Sequence, residues 1–525
     1  MKTYNNIIKT LFLLLVLVFT SSCEDFLTTT PTDFISPENF YNTETEADMA
    51  IAGVYLSLND LYKDVFKNGF SASTDETVYT YGGSANPMII KTFDATTPDV
   101  YNIWSKLYLG VYRSNAFLKN INKLDVDSVK KNAFIAEARF LRGYYYYHLA
   151  MLFGDVPLRL EPIESPINTD LARTPREVVF DSVCADMKFA TEHLYTYTLQ
   201  KGAPVRACKE ASTGVLARVY LSMAGVLNKP EYYAKALEIL LPLVSSQTIK
   251  LNPDYTQIWK NISADTYDHV SKEIMFDVEF NADPYKYLYS GWASNVAPAA
   301  PTGGTYNSND RFRVTTTFWQ YYQSDKNDVR YNWNIADYNY NTTDVKTPKA
   351  AYTTNGSNAT DRNPGKFRRD WEVALPRDPS KNGANFPILR YSDVLLMLSE
   401  AENEVNGPTD VAFAALDSVR SRAKAFKYSD LPIRPSQEEL RTIIREERSR
   451  ELCFESTTRY YDLIRWGIIF DKFTEVGNTL KQLGGTNGSN WANKLYFVLK
   501  PQHILFPIPQ IEMQLNSKMT QNPGY

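Results

Sequence analysis

Histidine and cysteine are scarce, four of each in 525 residues, and their scarcity excludes whole classes of chemistry. His148, His193, His269 and His503 stand apart, with no HExxH and no pair at helical spacing, so a zinc hydrolase lacks its ligand set. Beyond Cys23 only Cys184, Cys208 and Cys453 remain, an odd number without a CxxC. Neither a disulfide framework nor a zinc site follows from them, and they are expected as small buried hydrophobes. A GxSxG elbow and a glycine-rich phosphate loop are missing as well. No metal and no cofactor is therefore expected. Charge of one sign is not in excess: 56 Lys plus Arg face 60 Asp plus Glu, a net charge of -4. Such a chain has no field to steer it onto phosphate backbones, so nucleic acid is not an expected partner.

What the chain has is a globular composition, 44% hydrophobic and 22% charged, with an unusual weight of tyrosine: 36 Tyr against 27 Phe. Tyrosine suits positions where a ring packs and its hydroxyl reaches a partner. The N-terminus reads differently. Lys2 and Lys9 precede an apolar run from Leu11 to Phe19, and Thr20-Ser21-Ser22 lead into Cys23. That run is about half the roughly 20 residues a membrane-spanning helix needs. Residues 1–22 are therefore read as a secretory signal, and Cys23 is similar to a bacterial lipoprotein acylation site.

Helix signals dominate the first half and the stretch from about 388 to 466. Thr43-Glu44-Thr45-Glu46 and Ser436-Gln437-Glu438-Glu439 are capping boxes, each followed by apolar residues at steps of three and four. Thr174-Pro175-Arg176-Glu177 predicts a third start, with Thr174 as cap and Pro175 at the first helical position. Phe134, Ala138, Leu141, Tyr145, Leu149 and Leu152 form one stripe, closed by Gly154; Val394, Met397, Leu398, Ala401 and Val405 form another, closed by Gly407. The expected fold is mainly α: degenerate tetratricopeptide-like helical hairpins over about 40–250 and 388–466, since no strict 34-residue repeat runs through them. The segment from about 252 to 385 is rich in Asn, Asp, Tyr, Thr, Gly and Pro and shows little helical period. Long irregular segments of this kind usually carry function, so this one is expected to form the ligand-binding face.

Five stretches then resemble one family in order along the chain. They are Cys23-Glu24-Asp25-Phe26-Leu27 with Gly53-Val54-Tyr55; Ala136 to Tyr145 continuing to Leu152-Phe153-Gly154-Asp155-Val156-Pro157; Arg390-Tyr391-Ser392-Asp393 with Val419 to Ala423; Glu447-Arg448-Ser449-Arg450-Glu451-Leu452 with Arg459 to Gly467; and Phe506-Pro507-Ile508-Pro509 with Gln521 to Tyr525. The resemblance is to the SusD-like (RagB/SusD) nutrient-binding lipoproteins of the outer membrane, over residues 23–525 as a single domain. It implies a protein anchored through Cys23 to the outer membrane, facing the cell surface, that passes oligosaccharides to a SusC-like TonB-dependent transporter. Glu137, Arg139 and Arg142, beside the apolar stripe of their helix, and Glu447, Arg450 and Glu451, at three- and four-residue spacings where ion pairs form, read as scaffold.

A sugar ring offers an apolar face and a rim of hydroxyls, so its site needs flat aromatics beside hydrogen-bonding groups. Two regions supply them: Tyr79, Tyr81 and Asn86 in the first, and Tyr289, Trp292, Trp319 and Trp333 in the second. Tyr79, Tyr81, Trp292 and Trp319 are expected to share one exposed platform. Two other functions compete. One keeps the same role with peptide cargo. The other is a glycoside hydrolase, which needs a pair of carboxylates across a cleft, with Asp75-Glu76 and Asp361 as the available groups. Catalysis is not expected, because 60 acidic residues guarantee such pairs by chance.

Overall fold

A computed structural model describes residues 40–65, 74–79, 86–163, 169–199, 204–281, 296–301, 311–350, 361–373, 382–455, 457–483 and 485–525, with single positions between them. Helices dominate it: α1 (Glu44–Asp60), α2 (Pro98–Asn120), α3 (Ser128–Phe153), α4 (Arg176–His193), α5 (Lys209–Val226) and α6 (Glu231–Ser245) fill the first half. Consecutive members pack on one another, α2 on α3, α3 on α4, α4 on α5 and α5 on α6. Their lengths run from 15 to 26 residues, so no constant repeat length could survive in the sequence. Helices α9 (Tyr391–Asn406), α10 (Asp410–Arg422), α11 (Gln437–Leu452), α12 (Thr457–Arg465) and α13 (Ile469–Gln482) continue the frame, with α9 packed on α6.

The local signals set most of these boundaries. Both capping boxes form, at Thr43 with Glu46 and at Ser436 with Glu439. Gly154 and Gly407 end α3 and α9 at φ 74° and 81°, a backbone region that a Cβ disfavours. The Thr174 expectation is corrected. Thr174 exchanges backbone hydrogen bonds with Val156 in an isolated bridge, and Pro175 takes the cap position of α4. The Arg176 amide is instead satisfied by Asp155 Oδ1 at 2.7 Å, a cap delivered from across the bridge. Within 252–385 the described α-helices are short, the longest being α7 (Tyr255–Ser263), which Asp254 caps.

Helix α3 is buried on every side over its C-terminal half. Four successive tyrosines show why, because each step along a helix turns the side chain by about 100°. Tyr144 meets the Tyr62 hydroxyl at 2.5 Å, Tyr145 donates to Val54 O, Tyr146 to Arg159 O, and Tyr147 pairs with Ser222 Oγ. Four hydroxyls thus tie α3 to four different segments. Its C-terminal carbonyls are met by the tail: the Phe506 amide donates to Leu152 O, and Asn522 Nδ2 donates to Phe153 O and Phe506 O. The proline-rich end of the chain is the cap of the central helix.

Helix α11 carries the densest charge in the interior, with Glu447, Arg448, Arg450 and Glu451 all buried. The sequence spacing suggested pairs within the helix, yet only Arg450 finds Glu447 and Glu446 there. The other partners come from distant segments. Glu451 meets Arg390 at 2.9 Å, Arg330 at 3.0 Å and also Arg422; Glu447 meets Arg420 at 2.6 Å and Arg330 at 2.7 Å. Arg390 continues to Glu273 and Glu455, and Glu455 to Lys366 at 2.6 Å. A second chain runs Arg218, Asp393, Arg448, Asp462, Arg465, Glu400, three arginines against three carboxylates. Buried ions persist only when paired in this way.

These pairs set the response to acid. Burial alone would raise Glu447, but Arg330, Arg420 and Arg450 hold it down from 4.5 to about 2. A carboxylate lowered in the folded state contributes stability that is complete above its unfolded value and is lost as pH falls through the folded one. Stability is therefore expected to decline between pH 5 and about 2, read from denaturant midpoints across that window. Replacing Arg390 by Leu removes one cation from each of Glu273, Glu451 and Glu455 and leaves them to Arg422, Arg330 and Lys366, a loss of about 3–5 kcal/mol measured the same way at pH 7.

Asp277 behaves oppositely. It lies in β2 (Ile274–Val278), which pairs antiparallel with β4 (Phe386–Arg390), and among the described residues its Oδ1 has no partner. Burial, with Glu279 and Asp265 adding to it, raises its carboxyl to about 8, against the hydrogen bond from Asn385. The folded state then holds a proton that the unfolded chain releases, which costs stability as pH rises from about 4 to 8. Asp277→Asn mimics the protonated form. It should stabilise on the order of 2–4 kcal/mol at pH 7, from about 1.36 kcal/mol per unit, and the gain should vanish near pH 4.

Candidate functional site

The irregular segment is bolted to the helical frame rather than draped over it. Arg330 brings one part of it to Glu447 and Glu451, while Asp328 completes the arginine's shell at 2.6 Å. Lys366 brings another, donating to Glu455, to Glu451 O and to Cys453 O. Ahead of both anchors, β3 (Phe312–Val314) pairs antiparallel with β1 (Thr77–Tyr79), joining the two regions singled out for aromatics. Thr315 then caps α8 (Thr316–Gln320) through the Phe318 amide.

Trp319 sits on α8, partly buried against a cluster of Val314, Phe318, Tyr322 and Phe454. Its indole N–H donates to the Tyr331 hydroxyl at 3.2 Å, and Tyr331 is likewise only partly buried. The two partly buried rings meet through this hydrogen bond on a turn anchored to the frame. Tyr331 is the member of this pair that the sequence did not single out, because its covering depends on Tyr322, nine residues earlier and across a turn.

The other site expectations are redistributed. Tyr79 lies beside α8 through the β1–β3 pairing, but its ring is 7% exposed and packs edge-on against Phe312 at 5.5 Å. Trp333 is also 7% exposed: its N–H donates to Lys366 O, Trp371 lies at 5.5 Å and the Arg368 guanidinium at 4.2 Å. Rings so covered offer no face to a ligand, so Tyr79 and Trp333 are corrected to packing residues. Asn86 is corrected to a helix cap; its Oδ1 accepts from the Met88 amide and its Nδ2 donates to Asp99. Cys23, Tyr81, Tyr289 and Trp292 lie outside the described residues. The shared platform therefore reduces, among the described residues, to Trp319 with Tyr331.

Two of the three carboxylates considered for hydrolysis are enclosed. Asp75 and Glu76 are 0% and 3% exposed. Arg459 holds Asp75 below its ordinary value against the effect of burial, and burial raises Glu76 to about 7 despite Arg459, Ser449 Oγ and the Phe454 amide. Asp361 pairs with Lys349 at 3.0 Å. The three free cysteines are buried, as expected.

A helical frame holding an aromatic turn on buried ion pairs places the protein in the mainly α class. The chain belongs to the SusD family: the family model described as "SusD family" matches residues 240–525, and one described as "Starch-binding associating with outer membrane" matches residues 25–221. A SusD-like protein of Formosa agariphila is 26% identical over 99% of both chains. The solved SusD homolog from Bacteroides thetaiotaomicron superposes with a TM-score of 0.83 at 28% identity, covering 94% of this chain and 99% of its own. A solved protein described as a laminarin-binding SusD-like protein shares the fold at TM-score 0.69 and 22% identity, over 92% of this chain and all of its own. A solved protein from Bacteroides fragilis described as a SusD-like carbohydrate-binding protein shares the fold at TM-score 0.69 and 21% identity, over 92% of this chain and all of its own.

The two tryptophans should separate in experiment. Trp333→Ala is expected to cost about 3–5 kcal/mol of stability, as for other buried rings. Trp319→Ala should cost less than half of that, since its ring is only partly covered. Urea unfolding of both variants checks the order.

Proposed function

We propose that this protein is a lipid-anchored, cell-surface protein that captures oligosaccharides and delivers them to a SusC-like TonB-dependent transporter. The observation that carries the reading is Trp319 with Tyr331, a partly exposed aromatic pair fixed by α8 and the Arg330 anchor in a chain that belongs to the SusD family. A neutral sugar needs flat rings with hydrogen-bonding edges and no strong field, and the net charge of -4 supplies none. The anchor through Cys23 and the delivery step rest on the sequence resemblance. A lid that opens over a transporter needs a stiff body to swing, and the hydrophobic core of the helical frame together with the buried ion network supports that role. Among the described residues no helix is long and apolar enough to cross a membrane.

The test is a screen of residues 24–525, which keep every element of the fold, against plant, microbial and host polysaccharides by affinity electrophoresis. Retardation by a glycan, with a change in tryptophan fluorescence, is the expected result. Trp319→Ala should then weaken binding roughly three- to tenfold, from about 0.5–1.5 kcal/mol per aromatic contact. Unchanged affinity would remove Trp319 from the site. Retention of peptides in place of every glycan would overturn the cargo.

A further inference from the structure

A groove of about 340 Å³ opens between α2, the connection that follows α3 and a short C-terminal helix, α14 (Gln510–Leu515). It shares no lining residue with the Trp319 face. Tyr101 and Tyr112 flank it, 39% and 49% exposed, with Tyr108 between them. Steps of seven and four residues put the three rings on one face of α2, spread over about 16 Å at 1.5 Å per residue. The floor is closed by buried Trp104. Arg159 and Glu161 supply a guanidinium and a carboxylate at the edge.

The walls are built, not draped. Asn115 Nδ2 donates to Arg159 O and Glu161 O, and the Arg159 amide donates to the Tyr146 hydroxyl at 2.6 Å, so the edge is tied to both α2 and α3. On the other side the Gln510 amide donates to Ala95 O, and Asn516 Nδ2 donates to Leu171 O at 3.0 Å. A pre-formed concave site of this size, mostly aromatic and apolar with a few fixed polar groups, has the dimensions of a small-ligand pocket. A protein interface would need about 800 Å² from each partner and a flatter surface.

We propose that this groove is a second saccharide subsite, remote from the Trp319 face, in which tyrosine rings take the apolar faces of successive sugar units and Arg159 and Glu161 bind their hydroxyls. The inference rests on the reading of the protein as a glycan binder. Two subsites on one rigid body would hold a long chain at two points, and the second contact becomes intramolecular once the first forms.

The experiment is isothermal titration of the 24–525 chain with hexasaccharides of starch, laminarin, xylan and mannan, on wild type, Trp319→Ala and the double variant Tyr101→Ala/Tyr112→Ala. Both tyrosines are exposed, so the double variant should keep the wild-type melting temperature. A hexasaccharide that binds wild type should do so at two sites per chain. The double variant should then bind one, and its affinity for the parent polysaccharide should fall at least fivefold. One site in wild type that the double variant keeps, or two in the double variant, overturns the groove while leaving the Trp319 reading intact. Binding that survives Trp319→Ala and is lost in the double variant supports the groove and overturns the Trp319 reading. Silence toward every glycan overturns both, and occupation of the groove by an apolar peptide instead, read as protection of Tyr112 from iodination, overturns the saccharide assignment.

Discussion

The pairing of buried arginines with buried carboxylates around α11 is the constraint on which the rest depends. Ions taken out of water cost several kcal/mol each unless their partners are placed well and their remaining donors are satisfied. Here each of the central carboxylates, Glu447 and Glu451, faces three arginines, and each of those arginines reaches at least one other segment. The arrangement is therefore cooperative. Arg330 cannot be seated without the irregular segment folding back, and Arg390 cannot be seated without β4 beside β2.

That coupling explains how a segment of about 130 residues with little regular structure can still present a surface. It has few layers of its own to bury, and among its described strands none exceeds five residues. The energy that orders it comes from the frame, through Arg330, Lys366 and Glu273. A ligand meeting Trp319 then finds the ring already positioned and loses little entropy in ordering it. Binding residues on irregular backbone over a rigid scaffold are the general solution to the same requirement.

The abundance of tyrosine divides along the same line. Tyr144 to Tyr147 use the hydroxyl as a tie, each ending on a backbone carbonyl or another hydroxyl inside the body. Tyr101 and Tyr112 sit on a helix of the same frame with their rings half open. One residue type serves structure in one place and presents a surface in the other, and burial alone separates them.

Helix starts, helix ends and the mainly α class were legible in the sequence, because a capping box and a stripe at steps of three and four act over one or two turns. The motifs that carry the family resemblance were legible as well, and they proved to be the ion network and the cap of α3 rather than the site. What the sequence could not decide was which aromatic rings stay open. Trp319 and Trp333 stand 14 residues apart in similar surroundings, yet Trp333 is covered by Arg368 and Trp371 and Trp319 is not. Asp75 and Glu76 looked available and are enclosed by Arg459 and Ser449, more than 370 residues away. Local spacing encodes secondary structure because its interactions are local. Exposure is a property of what arrives from elsewhere in the chain, and only the tertiary structure decides it.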